Sequence, residues 1–298
     1  MTTNASKIEW TDATWNPVRG CTRVSEGCRH CYAEAFAARN LPGHRSPTTG
    51  KPFAVRTTHG PRWTGKVELI PSKLEEPLRW RRPRKVFVNS MSDLFHEGLS
   101  DEAIDQIFAV MAAADQHTFQ ILTKRPERML RYVRGLALGP AEYVAIWPLP
   151  NVWLGVSVEN QEAADERIPL LLQTPAAVRF VSYEPALGPV DFEPHTWPQC
   201  IATREEHERD HDGGMFCDER SLDWIIVGGE SGPGARPFDV QWARSTVQQC
   251  RQAGVACFVK QLGSRAHGPD THSAVLVERK GGDPSEWPAD LRVREFPA

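Results

Sequence analysis

Six short runs rich in β-branched and aromatic residues recur along the chain, at Lys85–Asn89, Thr118–Leu122, Val152–Val156, Val178–Ser182, Trp224–Val227 and Ala256–Lys260. Runs of this length read as buried strands, and their alternation with helix-compatible stretches is the mark of a parallel sheet with crossover helices. A further extended segment, Ala13–Val18, precedes a cysteine-rich loop. Between the first two runs, Ser100 can cap a helix whose Ile104, Ile107, Phe108 and Met111 share one face. A later helix starts near Asp239 and stops at Gly254, with Val247 and Cys250 facing inward. The pattern predicts an α/β fold, either a partial TIM-type parallel barrel or an open parallel sheet with crossover helices.

Polar groups follow almost every run: Asn89-Ser90-Met91-Ser92-Asp93, Thr123-Lys124-Arg125, Ser157-Val158-Glu159-Asn160, Ser182-Tyr183-Glu184, Gly228-Gly229-Glu230-Ser231 and Lys260-Gln261. In a parallel barrel or sheet these strand ends share one rim, where sites are built. The rhythm breaks at Phe192–Leu222, which is rich in His, Asp and Glu and reads as an insertion. The tail over 264–298 reads as a loop-rich C-terminal cap. The whole chain, 1–298, is expected to be one domain.

The 298 residues, 40% hydrophobic and 24% charged, suit a compact globular chain. No stretch approaches a membrane span and the opening Met1–Lys7 lacks the apolar centre of a secretion signal, so a cytoplasmic protein with no membrane partner is expected. A net charge of −3 does not advertise nucleic-acid binding. The basic run Arg79–Lys85 is either a solvated approach to the next strand or a phosphate contact.

Three of the seven cysteines fall within eleven residues, Cys21, Cys28 and Cys31, spaced C-x6-C-x2-C. Three thiolates on one loop can hold three irons of a 4Fe-4S cluster and leave the fourth open to a chelating substrate such as S-adenosylmethionine. They can equally join His30 or His44 in a closed zinc site, and spacing alone leaves both open. Cys200, His207, His211 and Cys217, spaced C-x6-H-x3-H-x5-C, form a second candidate zinc set. Gly228–Gly234 fits neither a dinucleotide-binding nor a P-loop pattern in any register.

Long motifs carry a resemblance. Ile8–Cys21, Cys31-Tyr-Ala-Glu34, Val86–His96, Leu122–Arg128 and Ile226–Ser231 resemble the phage-type three-cysteine-motif family of unknown function. That family is similar to radical S-adenosylmethionine enzymes of the spore photoproduct lyase-like kind. The resemblance implies a radical-enzyme-like fold, a 4Fe-4S cluster on Cys21, Cys28 and Cys31, and bound S-adenosylmethionine. On that implication Asn89, Ser90, Asp93, Ser157 and Glu159 are candidate cofactor contacts, though the serines can also be helix caps. Glu184, Glu230 and Lys260 are candidate catalytic groups, with an inward ion pair as the alternative, and Cys257 is a small apolar packing group like Cys250 or else a candidate hydrogen donor. The first cysteine gap is longer than in the better-known radical enzymes, His30 stands where they carry an aromatic residue, and Gly228-Gly229-Glu230 comes late in the chain.

The leading expectation is a radical enzyme modifying or repairing a nucleic-acid component, with Lys124, Arg125 and Arg128 beside the rim. It would need a one-electron donor, a reductase or a flavodoxin-type protein, and a partner encoded nearby is compatible with it. The competing expectation, from a different class, is a non-catalytic zinc module that docks a protein or nucleic acid.

Overall fold

The structure, a computed structural model, describes residues 6–39, 41–137, 147–196, 199–200, 219–269 and 278–298. Seven strands form one sheet: β1 (Ala13–Trp15), β2 (Lys85–Val88), β3 (Thr118–Thr123), β4 (Val152–Val158), β5 (Val178–Tyr183), β6 (Trp224–Gly228) and β7 (Ala256–Gln261). Their spatial order is their chain order and every pairing is parallel. The sheet curls into a half-barrel. The predicted runs recur one or two residues longer at their C-terminal ends, except that the first ends at Val88. Ala13–Val18 is not one strand. It breaks at Asn16-Pro17, where proline has no N–H to give a ladder, and Val18–Arg19 pairs instead with Glu68–Leu69.

The described helices are α1 (Tyr32–Ala37), α2 (Asp101–Ala113), α3 (Pro126–Ala137), α4 (Gln161–Leu172) and α5 (Val240–Ala253), beside several single turns. Ser100 caps α2 by accepting from the Ala103 N–H, and Asp239 caps α5 by accepting from Gln241 N–H. Gly254 ends α5 in the left-handed region, at φ 69°, which glycine adopts without a Cβ penalty. Asn160 caps α4.

Successive strand residues point to opposite faces. One face, with Val86, Val88, Ile121, Leu154, Val156, Val181, Ile225, Val227 and Val259, packs on the helices as the main core. The other face is concave. Phe87, Leu122, Trp153, Phe180, Trp224, Ile226 and Phe258 line it and close around Trp10 as a second cluster. Gly155 makes room there: a Cβ on it would stand 2.7 Å from the Phe180 ring.

The described part of the tail holds single turns at Pro284–Glu286 and Ala289–Leu291, with Trp287 and Leu291 buried in the main core. It runs along the free edge of β7, where the Val259 N–H donates to Val293 O. Covering an edge strand in this way removes unpaired backbone groups from solvent.

A candidate active site at the mouth of the half-barrel

Following the concave face toward the strand C-termini, the lining changes from aromatic to polar. Phe180 gives way to Ser182 and Glu184, Trp153 to Ser157 and Glu159, Phe258 to Lys260, and Ile226 to Glu230. The strands are parallel, so these groups meet at one mouth. Glu184 accepts from Lys260 Nζ at 2.6 and 2.9 Å and from Gln261 Nε2 at 3.2 Å. Two strand ends are thus bridged by a half-buried charged cluster.

The cysteine loop crosses this mouth, and its contacts are spread over several strand ends. Thr22 accepts from Arg125 Nη2 at 2.8 Å through Oγ1, which also lies 2.9 Å from His96 Nε2. Gly27 lies over β3 and β4, so close that a Cβ there would stand 3.1 Å from the Glu159 carboxyl carbon and 3.3 Å from Lys124 Cε. His30 Nδ1 is 3.0 Å from Glu230 Oε2, and Arg236 donates to both Glu230 oxygens and to Glu26 O. Tyr32 Oη donates to Ser90 O at 2.7 Å. Behind the loop, Arg23 forms a forked pair with the buried Glu34, which also accepts from Trp63 N–H.

Cys21, Cys28 and Cys31 are free and half-buried. Burial, then the Asp93 carboxylate, push the Cys21 thiol up to about 12, against the pull of Arg125, and the other two cysteines add to the rise. Burial likewise raises Cys31. Without metal these two thiols are protonated at neutral pH, so a metal must displace protons to bind. Among the described residues no three His, Cys, Asp or Glu side chains form a group that could hold a metal ion. A zinc site requires four donors at about 2.0–2.3 Å from one point, whereas the thiolates of a cluster each take their own iron. Of the two candidate fourth zinc ligands, His30 is engaged by Glu230, whereas His44 is buried under the Phe36 ring at 4.6 Å with no partner for its Nδ1 among the described residues.

The other expected site residues divide into supports and open groups. Asp93 is a support, accepting from Thr123 Oγ1, Lys124 N, Phe95 N and Arg125 Nη1. Glu159 is another, paired with Arg167 at 3.0 Å with both side chains 5% exposed or less. Burial raises the Glu159 carboxyl, but Lys124 and Arg167 outweigh it and hold the group below its ordinary value. Ser90 Oγ donates to Asn16 Oδ1, joining the ends of β1 and β2. Ser157 is buried in the lumen wall, where its carbonyl accepts from Arg167. Asn89 is left-handed at φ 62°, takes the Val18 N–H on Oδ1, and keeps a buried Nδ2 with no partner among the described residues.

Cys257 is not at the mouth. It is the second residue of β7, at the far end of the strand, and packs with Cys250 of α5 inside the main core. Strand direction and alternation put it there, and as a hydrogen donor at the rim it is out of reach. Arg125 and Arg128 are not free cations either. Arg125 is 5% exposed and bound to Asp93, Glu97 and Thr22, while Arg128 donates to His96 O, Leu99 O and Asp101. The candidate zinc set of the insertion lies outside the described residues for His207, His211 and Cys217. The backbone at Cys200 is described and pairs with Glu219 in a two-residue antiparallel ladder. Arg236, Arg167, Tyr32 and Asn16 also position the mouth, and none of them stands out in the sequence as a site residue. Of these, Asn16 and Tyr32 fall inside the motifs that carry the resemblance, and Arg236 lies six residues beyond Glu230.

Among the described residues, no helix is long and apolar enough to cross a membrane. No curated protein and no solved structure matches the chain. One family model does, over residues 5–283, so that it spans the cysteine loop, all seven strands and the mouth they build, and the chain belongs to that family, described as a protein of unknown function (DUF5131).

Proposed function

We propose that this chain is an iron–sulfur enzyme of the radical S-adenosylmethionine type, with Cys21, Cys28 and Cys31 as cluster ligands. The observation that carries the reading is the seating of three free thiols on one loop clamped across the C-terminal mouth of a parallel half-barrel. Catalytic groups of parallel barrels gather at that end.

When bound, the cluster and S-adenosylmethionine would supply one-electron cleavage of a sulfonium and hydrogen abstraction, fed by an external reductase or flavodoxin-type donor. The chain's own residues hold and shield the reacting volume. Asn89 offers a buried donor at the end of β2 that nothing among the described residues satisfies; such a group calls for a ligand. Glu184, Lys260 and Gln261 present a charged cluster to whatever occupies the lumen. The aromatic floor around Trp10 and Trp224 excludes water from below. Glu230 with Arg236, and Asp93 with Arg125, fix the loop instead of touching a reactant. Because Arg125 and Arg128 are engaged within the chain, neither supports a nucleic-acid substrate.

The test is anaerobic purification and reconstitution with iron and sulfide, followed by metal analysis and assay of 5′-deoxyadenosine formed from S-adenosylmethionine under dithionite. About four irons per chain and cofactor cleavage, both lost in Cys28→Ala, are expected. Stoichiometric zinc with no iron uptake and no cleavage would replace this reading with the zinc docking module.

A further inference from the structure

The charge of this chain is unevenly divided. Residues 19–66 hold nine Arg and Lys against two Glu, a net of +7 in a chain whose total is −3, which leaves −10 on the remainder. Seven of the nine are arginine, the cation that meets phosphate with a planar fork of donors. This segment is the cysteine loop itself, α1, and the antiparallel hairpin Ala54–Thr57/Gly60–Trp63. α1 buries Ala33 and Ala37, with Ala38 beyond it, against Ala54, Met91 and Trp63. That packing turns the opposite face outward. Tyr32 and Phe36, four residues apart and so stacked on one helix face, are 60% and 38% exposed. The Arg39 guanidinium lies 5.1 Å from the Phe36 ring centroid. Arg29, Lys51 and Arg56 of the same segment are exposed as well, Arg29 with Glu26 at 3.7 Å.

We infer that this basic, aromatic face of residues 19–66 docks single-stranded nucleic acid. Cations that follow a phosphate backbone, interleaved with exposed rings on which bases stack, are the physical requirements of single-strand binding. An acidic protein would satisfy the charge but has no use for paired exposed rings. The −10 elsewhere repels a polyanion and confines its footprint to this face. Tyr32 directly follows Cys31, so a docked strand passes beside the cysteine loop. Docking itself does not depend on the cluster; only the further reading of the docked strand as substrate rests on the proposed radical chemistry.

The experiment uses the full chain, both metal-free and reconstituted, and a fluorescein-labelled mixed-sequence single strand of roughly 16 nucleotides. Fluorescence anisotropy is read between about 50 and about 200 mM salt. Binding with a steep salt dependence is expected in both protein forms. Arg39→Glu with Arg56→Glu should weaken it at least about tenfold and flatten the salt slope by roughly 1.4, at about 0.7 per single-strand phosphate contact. Phe36→Ala should weaken it roughly five- to hundredfold, the loss of one stacked base. Arg79→Glu, in the basic run at the other end of the sheet, should bind as wild type.

The double arginine variant lies wholly on the surface, and an unchanged thermal midpoint certifies its fold. No binding at about 50 mM salt, or wild-type affinity in the double variant, overturns the inference. So does loss of affinity in Arg79→Glu alone. Equal affinity for a duplex, with no effect of Phe36→Ala, reduces the face to a general polyanion surface and overturns the commitment to single strands. Radical activity enters none of these readouts, so the two proposals fail separately.

Discussion

His30 Nδ1 and Glu230 Oε2 stand 3.0 Å apart across 200 residues of sequence. This contact, doubled by Arg236 reaching from the same Glu230 to the Glu26 carbonyl, ties the middle of the cysteine loop to the end of β6. Burial pushes the Glu230 carboxyl up, but hydrogen bonds from Arg236 and His30 outweigh it and hold the group at about 2, below its ordinary 4.5.

A group lowered in the folded state stabilises above its unfolded value, and that contribution is lost as pH falls through the folded value. Glu230→Gln should therefore lower the urea midpoint by a constant amount above pH 4.5, and the difference from wild type should shrink as pH falls from 4.5 toward about 2. A difference that grows with acidity would mean that Glu230 is not held by the loop.

Arg167 and Glu159 form the most deeply buried ion pair at the mouth. Arg167→Ala takes its buried partner from the Glu159 carboxylate and should cost about 3–5 kcal/mol in urea denaturation. Arg167→Met with Glu159→Gln should recover most of that loss, since removing both charges also removes the desolvation penalty. A double variant no more stable than the single one would place the loss in the packing around Arg167 and not in the stranded charge.

Glycines at two places should respond differently to a methyl group. Gly155→Ala drives a Cβ to 2.7 Å from the Phe180 ring inside a packed floor, which should cost about 1–3 kcal/mol. Gly27→Ala meets the Glu159 carboxyl, held by Arg167, at 3.1 Å and the end of Lys124 at 3.3 Å, a milder approach than that at Gly155, and should cost less, about 1 kcal/mol. Thermal or urea denaturation of both variants separates floor from mouth.

Ser100→Ala removes the cap that accepts from Ala103 N–H and should destabilise by about 0.5–2 kcal/mol. Calorimetry that found no change would show that the first turn of α2 is held by its packing alone.

The strands were readable because each is buried on both faces, and such strands appear as short, nearly continuous apolar runs. The mouth was readable for the same reason: a polar group directly after such a run, as at Glu184 or Glu230, has few other places to go. Pairing was not. Arg125 looks like a free cation until chain topology brings Asp93, Glu97 and Thr22 to it. The left-handed Asn89 carries no local signal either, since its conformation is imposed by the Trp15 carbonyl and Val18 N–H reached through a strand pair. Cys257 packs with Cys250 as a small apolar group, because the second residue of β7 alternates onto the helix-covered face far from the mouth.

Strand order that follows chain order makes the seven-stranded wall additive. Each connection at the mouth joins immediate neighbours, so lengthening one leaves the others in register, at an entropic cost that rises only with the logarithm of its length. The long connection between β5 and β6, with its own small ladder at Gln199–Cys200 and Glu219–Arg220, is a place where descendants of this chain can gain or lose residues while inheriting the thiol loop untouched.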